Sequence, residues 1–164
     1  MKFTELSKQV AAEAGAYSES TLTVIRKWHG SLTSVARNIE DAKCAPTDKE
    51  EKWILDDNQF PLRSMAVGAA IILQALGVED LAAAFITEYE RAAVKHPGMT
   101  LDCDGPTDEN RFYALAEEVG EVAASLTYDN ANSTGHGADT IAEVTQVGAL
   151  ALAWLTRHQE GPQA

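Results

Sequence analysis

Residues 115–129 read LAEEVGEVAASLTYD, and residues 141–155 read IAEVTQVGALALAWL. In both stretches apolar residues recur at three- and four-residue intervals, the period of an amphipathic helix. The second stretch belongs to a helix expected over 139–158, with Val144, Val147, Ala151, Trp154 and Leu155 as its stripe and Ile141 leading in. Glu143 interrupts that stripe. At roughly 100° per residue it projects within about 40° of Val147 and about 20° of Trp154. A carboxylate placed there is costly unless it is paired, protonated or bound to a metal. Glu118 and Glu121 lie one turn apart on the preceding helix, expected over 108–127, and Glu143 and Gln146 lie one turn apart on the second. Each pair therefore shares a face. Three or four oxygen donors on two facing helices are the means by which a helical bundle holds a hard cation. The competing reading is a solvated acidic face, and Glu143 within an apolar stripe weighs against it.

The two segments with their flanks resemble the MazG-like all-α nucleoside triphosphate pyrophosphatases, a family marked by ExxE on one helix and ExxD on the next. Glu118 and Glu121 match the first pair, and Glu143 matches the first position of the second. Gln146 stands where the common pattern has aspartate, which leaves the set one charge short. The resemblance extends upstream over YERAAVKHPGMTLD, residues 89–102, and covers roughly residues 80–160. The first 75 or so residues match no family by inspection. The resemblance implies a helical bundle completed by dimerisation, with extra N-terminal helices in this chain. It implies magnesium, or manganese, held by Glu118, Glu121 and Glu143, with Gln146 as a weak ligand and Glu117 positioning a ligand or a water. The cation would neutralise the triphosphate and activate a water. The products would be a nucleoside monophosphate and pyrophosphate. The KHPGMTLD block and the glutamine resemble the bacteriophage members, including a branch called MazZ. That likeness implies a purine deoxynucleotide such as dGTP, with house-cleaning of non-standard nucleotides close behind.

The bulk numbers fit a metal-dependent reading. A net charge of −12 disfavours a nucleic-acid partner. A carboxylate cluster also repels a triphosphate until divalent ions neutralise it. The 164 residues suffice for one core without staples. Cys44 and Cys103 have no metal or redox spacing, which suggests a reducing compartment. MKFTELSKQV has no signal-peptide core, and the longest apolar stretch, Met65 to Leu76, is too short to span a membrane. A cytoplasmic protein is expected.

Sparse strand-like alternation and prolines at breaks predict an all-α chain. Helices are expected over 4–16, 20–41, 48–56, 62–76, 78–95, 108–127 and 139–158, with turns at 57–61 and 98–107 and no internal repeat. Residues 1–77 form an N-terminal helical region for packing or oligomerisation, and residues 78–160 form the catalytic bundle. The small residues of helix 62–76 make it a core or oligomer-contact helix, and it is the candidate interface of a homodimer or homotetramer. Candidate phosphate-binding cations are Lys95 foremost, then Arg91, which could instead pair with Glu88 or Glu90, and Arg111. The polar loop 128–137 separates the two acidic pairs. It is read as a lid, with Tyr128 stacking on a base and Asn130 and Asn132 reading base edges, or as a plain connector. His136 is expected in solvent, and Trp28, Trp53 and Trp154 in packing. The alternative to an enzyme is a non-catalytic nucleotide-binding or helical interaction protein, favoured by Gln146; an acidic nucleic-acid mimic is a third class.

Overall fold

A computed structural model of the chain describes residues 3–132 and 139–160. Every element among them is helical: α1 (Phe3–Ala14), α2 (Thr21–Lys43), α3 (Asp48–Asp56), α4 (Gln59–Ala75), α5 (Leu81–Lys95), α6 (Asp108–Ser125), α7 (Tyr128–Ala131) and α8 (Thr140–Glu160). None of these helices is long and apolar enough to cross a membrane.

Side-chain caps set several of the starts. Ser20, Thr47, Asp80, Thr107 and Thr127 each accept from the backbone N–H three residues on. Each satisfies a donor that a helix start leaves orphaned. The Thr47 hydroxyl, besides accepting from the Glu50 N–H at 3.3 Å, donates to Glu50 Oε2 at 2.7 Å. The Asp80 cap starts α5 at Leu81 instead of the expected 78. The turn expected over 57–61 is shorter, because α4 begins at Gln59 and carries Pro61 in its first turn. The N–H groups of a first turn have no acceptor within the helix, so proline is tolerated there. Part of the expected loop after α6 is the short helix α7.

The hydrophobic cluster is one body, with residues from Phe3 to Leu155. Its centre is α4, in which every residue from Met65 to Leu73 is buried. Of the two expected roles of this helix, core or oligomer contact, the core is the one observed, and α4 is corrected as the candidate interface because its small residues are used up inside the chain. Its longest contact is with α8. Gly148 permits that approach: a Cβ there would lie 2.2 Å from the Phe85 ring and 3.0 Å from Ala69. α4 thus supplies a helix packing on α8 beside α5 and α6, a place the sequence reading gave to a second chain. Trp28 and Trp154 are buried as expected, but Trp53 is 68 % exposed.

The packing has a repeat that the residues do not advertise. α4 packs on α8, α1 on α5, and α2 on α6. α1 and α2 also pack on α4, as α5 and α6 do on α8. α3 packs on α2 as α7 does on α6, and α1 meets α8 as α5 meets α4. Exchanging the first four helices for the last four leaves this pattern unchanged. The boundary expected near residue 77 separates these two halves, which nonetheless share one core.

Candidate metal and phosphate site

Glu117, Glu118 and Glu121 project from the middle of α6, and Glu143 and Gln146 from the first two turns of α8. Packing of α6 against α8 brings two of these acidic positions onto a third. Glu118, Glu121 and Glu143 each offer a carboxylate oxygen, and the three lie within 4.8 Å of one another. Glu118 and Glu143 are half-buried and Glu121 is exposed.

Crowding of like charges at a partly buried place is unfavourable, and proton affinities respond. Burial, then the charges of Glu121, Glu143, Glu117 and Glu88, push the Glu118 carboxyl up to about 7. Burial, then a hydrogen bond with Glu121 and its charge, raise Glu143 as well. Glu118 Oε2 is buried and has no hydrogen-bond partner. A cation held there would offset the repulsion and give the orphaned oxygen a partner. The donor set, all carboxylate oxygen, suits magnesium or manganese.

Beside the cluster lies a cavity of about 460 Å³ between α5, α6, α8 and the 96–101 turn, with Glu88, Arg91, Lys95, Glu117, Glu118, Glu121 and Gln146 in its polar wall. Ala114, Ala149, Leu150 and Ala153 form an apolar wall. Arg91 is gripped by Glu88, donating from Nε at 2.7 Å and Nη2 at 2.6 Å. Nη2 also donates to Gln146 Oε1 at 3.2 Å, and Gln146 Nε2 donates to Glu143 Oε2 at 2.7 Å. Gln146 therefore ties the arginine to the cluster with its carbonyl on the cation and its amide on the carboxylate. Lys95 is exposed at the cavity and makes no ion pair among the described residues.

Three expected substrate contacts lie elsewhere. Arg111 is 2 % exposed, and its donors serve the chain. Nε donates to the Leu101 carbonyl at 2.8 Å, Nη2 to the Cys103 carbonyl at 2.5 Å and Nη1 to Asp108 at 2.9 Å. Its task is to hold the 99–105 loop, and burial lowers its proton affinity. Asp102 pins the same loop by accepting from Tyr89 OH at 2.7 Å, and Phe3 stacks on the Tyr89 ring at 4.3 Å. Burial and that hydrogen bond push Tyr89 up to about 12. Tyr128 is 79 % exposed on α7 and does not line the cavity. Asn130 donates from Nδ2 to the Ser125 carbonyl at 2.8 Å, closing the end of α6 instead of facing a ligand. The remainder of the expected lid, residues 133–138 with His136, lies outside the described residues.

Glu88 is a site residue that the pattern reading left out. It stands about 60° from Phe85 and about 40° from Ala92 on its helix. It breaks an apolar stripe as Glu143 does, and the same test finds it. The cavity wall at Met99, Thr100 and Leu101 had no such signal. Its shape comes from Pro97-Gly98, a tight turn in which the Met99 N–H bonds to the His96 carbonyl at 3.0 Å and Gly98 takes φ 72°.

No family model matches the chain, and neither a curated protein nor a solved structure is significantly similar to it.

Proposed function

We propose that the chain is a metal-dependent nucleoside triphosphate pyrophosphohydrolase, with a purine deoxynucleotide such as dGTP as the leading substrate. The observation that carries this reading is the convergence of Glu118, Glu121 and Glu143 beside a cavity that also presents Lys95 and Arg91. The three glutamates would hold magnesium or manganese, which supplies neutralisation of phosphate oxygens and acidification of a water. Lys95, which has no ion pair among the described residues, takes a phosphate oxygen. Arg91 reaches a second by trading its contact with Gln146. Glu117 orients the attacking water and takes up its proton. Water oxygen bonds to the α-phosphorus, the bond from that phosphorus to the α–β bridging oxygen breaks, and pyrophosphate leaves with the electron pair. Cys44 and Cys103 lie outside the cavity lining, which fits direct attack by water.

A second reading, a nucleotide-binding protein without turnover, is favoured by Gln146. Its amide is already committed to Arg91 and Glu143, so the cation has three carboxylates and no fourth. The homodimer or homotetramer that the resemblance implies would have to use a surface other than α4. Product analysis on a panel of ribo- and deoxynucleoside triphosphates with magnesium or manganese separates the readings. Monophosphate and pyrophosphate, lost in Glu118→Ala and Glu143→Ala, is the expected result. Cation-stabilised binding without turnover would leave the second reading.

A further inference from the structure

The exchange pattern of the helices extends to residue spacing. Val24, Trp28, Leu32 and Val35 of α2 are buried at intervals of four, four and three; so are Arg111, Leu115, Val119 and Val122 of α6. Laying one series on the other puts Ser31 and Ser34 at the places of Glu118 and Glu121. Leu6, Val10 and Glu13 of α1 repeat the spacing of Leu81, Phe85 and Glu88 of α5. Ser64, Val67 and Ile71 of α4 repeat that of Glu143, Gln146 and Leu150 of α8.

Glu13, Ser64, Val67 and Ile71 all open on a second cavity, of about 250 Å³, between the end of α1, the start of α2, and α4. It overlaps the glutamate cavity under the exchange, with Glu13, Tyr17, Lys27, Val67 and Ile71 at the places of Glu88, Ala92, Ala114, Gln146 and Leu150. A carboxylate–arginine pair is present here too, but the arginine comes from a different helix: Arg63 of α4 donates to Glu13 Oε2 from Nε at 3.1 Å and from Nη2 at 2.7 Å, while Ala16 stands at the place of Arg91. The three clustered carboxylates do not survive: serine stands at each place, and of the three serines Ser64 alone lines this cavity. Lys27 adds a second cation, paired with Glu19 at 2.6 Å. Two cations balance two carboxylates here, whereas the glutamate cavity sets four carboxylates against two cations before Glu143 is counted. Tyr17 and Phe60, 50 % and 83 % exposed, are part of its lining.

We propose that this second cavity is a metal-independent site for a small phosphate monoester bearing a flat ring, of the size of a nucleoside monophosphate. Arg63 and Lys27 take the phosphate by trading their contacts with Glu13 and Glu19, and no counterpart of Glu118, Glu121 or Glu143 stands there to repel it. The ring lies against Tyr17 and Phe60, where stacking is tolerant of ring identity.

Trp28 forms part of the wall, with its Nε1 donating to the Met65 carbonyl at 3.1 Å. Its indole N–H nuclear resonance, assigned with Trp28→Phe, is the readout. The full chain is titrated with AMP in excess EDTA, with inorganic phosphate alone for comparison. The expected result is a saturable shift of that resonance, stronger for AMP than for phosphate. Arg63→Met should weaken it roughly tenfold. Phe60→Ala, which removes an exposed ring and spares the core, should weaken it too. The double variant Glu118→Gln, Glu121→Gln should leave it unchanged. No shift at millimolar AMP, an unaltered shift in folded Phe60→Ala or Arg63→Met, or loss of the shift in the double glutamate variant would each overturn the proposal.

Discussion

The two halves of the molecule use one packing plan for two electrostatic ends. Around α8 the cavity wall is acidic, two carboxyl groups are pushed toward their protonated forms, and one oxygen has no partner. Around α4 the same positions carry serines, and the charges present cancel in pairs. The helices that build the two cavities pack in the same pairs. Packing is indifferent to residues on the solvent side of a helix, so one half can hold a cluster that costs stability while the other need not. The comparison teaches that the fold is carried by the shared apolar registers, and the chemistry by a few rim positions.

The largest expected difference between the halves is in turnover. Glu118→Ala or Glu143→Ala should lower triphosphate hydrolysis on the order of a thousandfold or more, since charge stabilisation in the transition state is lost. Ser31→Ala with Ser34→Ala should leave the rate within about twofold, a change that is small on the activation-energy scale. Measured kcat/KM for the two sets decides whether one half alone is active.

Cation binding should follow the same division. Magnesium or manganese at about a hundred times its dissociation constant should stabilise the protein by about 2.7 kcal/mol, read as a rise in Tm. Glu143→Ala should abolish that rise, and Ser64→Ala should preserve it.

The core, in contrast, should treat the halves alike. A Cβ on Gly68 would lie 2.6 Å from Trp28 Nε1 and 2.7 Å from a Val24 methyl, and one on Gly148 would meet Phe85 at 2.2 Å. Gly68→Ala and Gly148→Ala should each cost about 1–3 kcal/mol in a denaturant melt. A large cost in one half only would break the equivalence.

A smaller effect belongs to pH without added metal. Glu118 takes its proton more tightly folded, near 7, than unfolded, near 4.5. The folded state therefore holds more protons between those values, and stability falls as pH rises through that window. Glu118→Gln should remove this slope and stabilise the metal-free protein above pH 7 by about 1–2 kcal/mol, after allowance for solvent screening of a half-buried group.

Much of this was legible in the chain. The helix starts at Ser20, Thr47 and Thr107 were readable because a capping Ser or Thr acts on an N–H three residues away, whereas the Asp80 cap was passed over. Glu143 was readable as an anomaly because helical angles follow from sequence spacing alone. Glu88 carried the same signal on α5 and was passed over for its neighbour Arg91. Arg111 read as a surface cation because its acceptors are the carbonyls of Leu101 and Cys103, and no residue pattern announces a carbonyl. The repeat escaped notice because it survives in buried spacing, four, four and three, and not in residue identity.

By itself the sequence determined the helices, their apolar stripes and the pairing of Glu118 with Glu121 on one face, because caps and i, i+3 neighbours are local. Only the tertiary structure decided that Glu143 joins that pair, that Arg91 and Lys95 face the cavity while Arg111 is spent on a loop, and that α4 completes the core from within the chain. Those outcomes depend on how α4, α5, α6 and α8 pack, and helix packing is set by whole faces meeting across long separations in the chain.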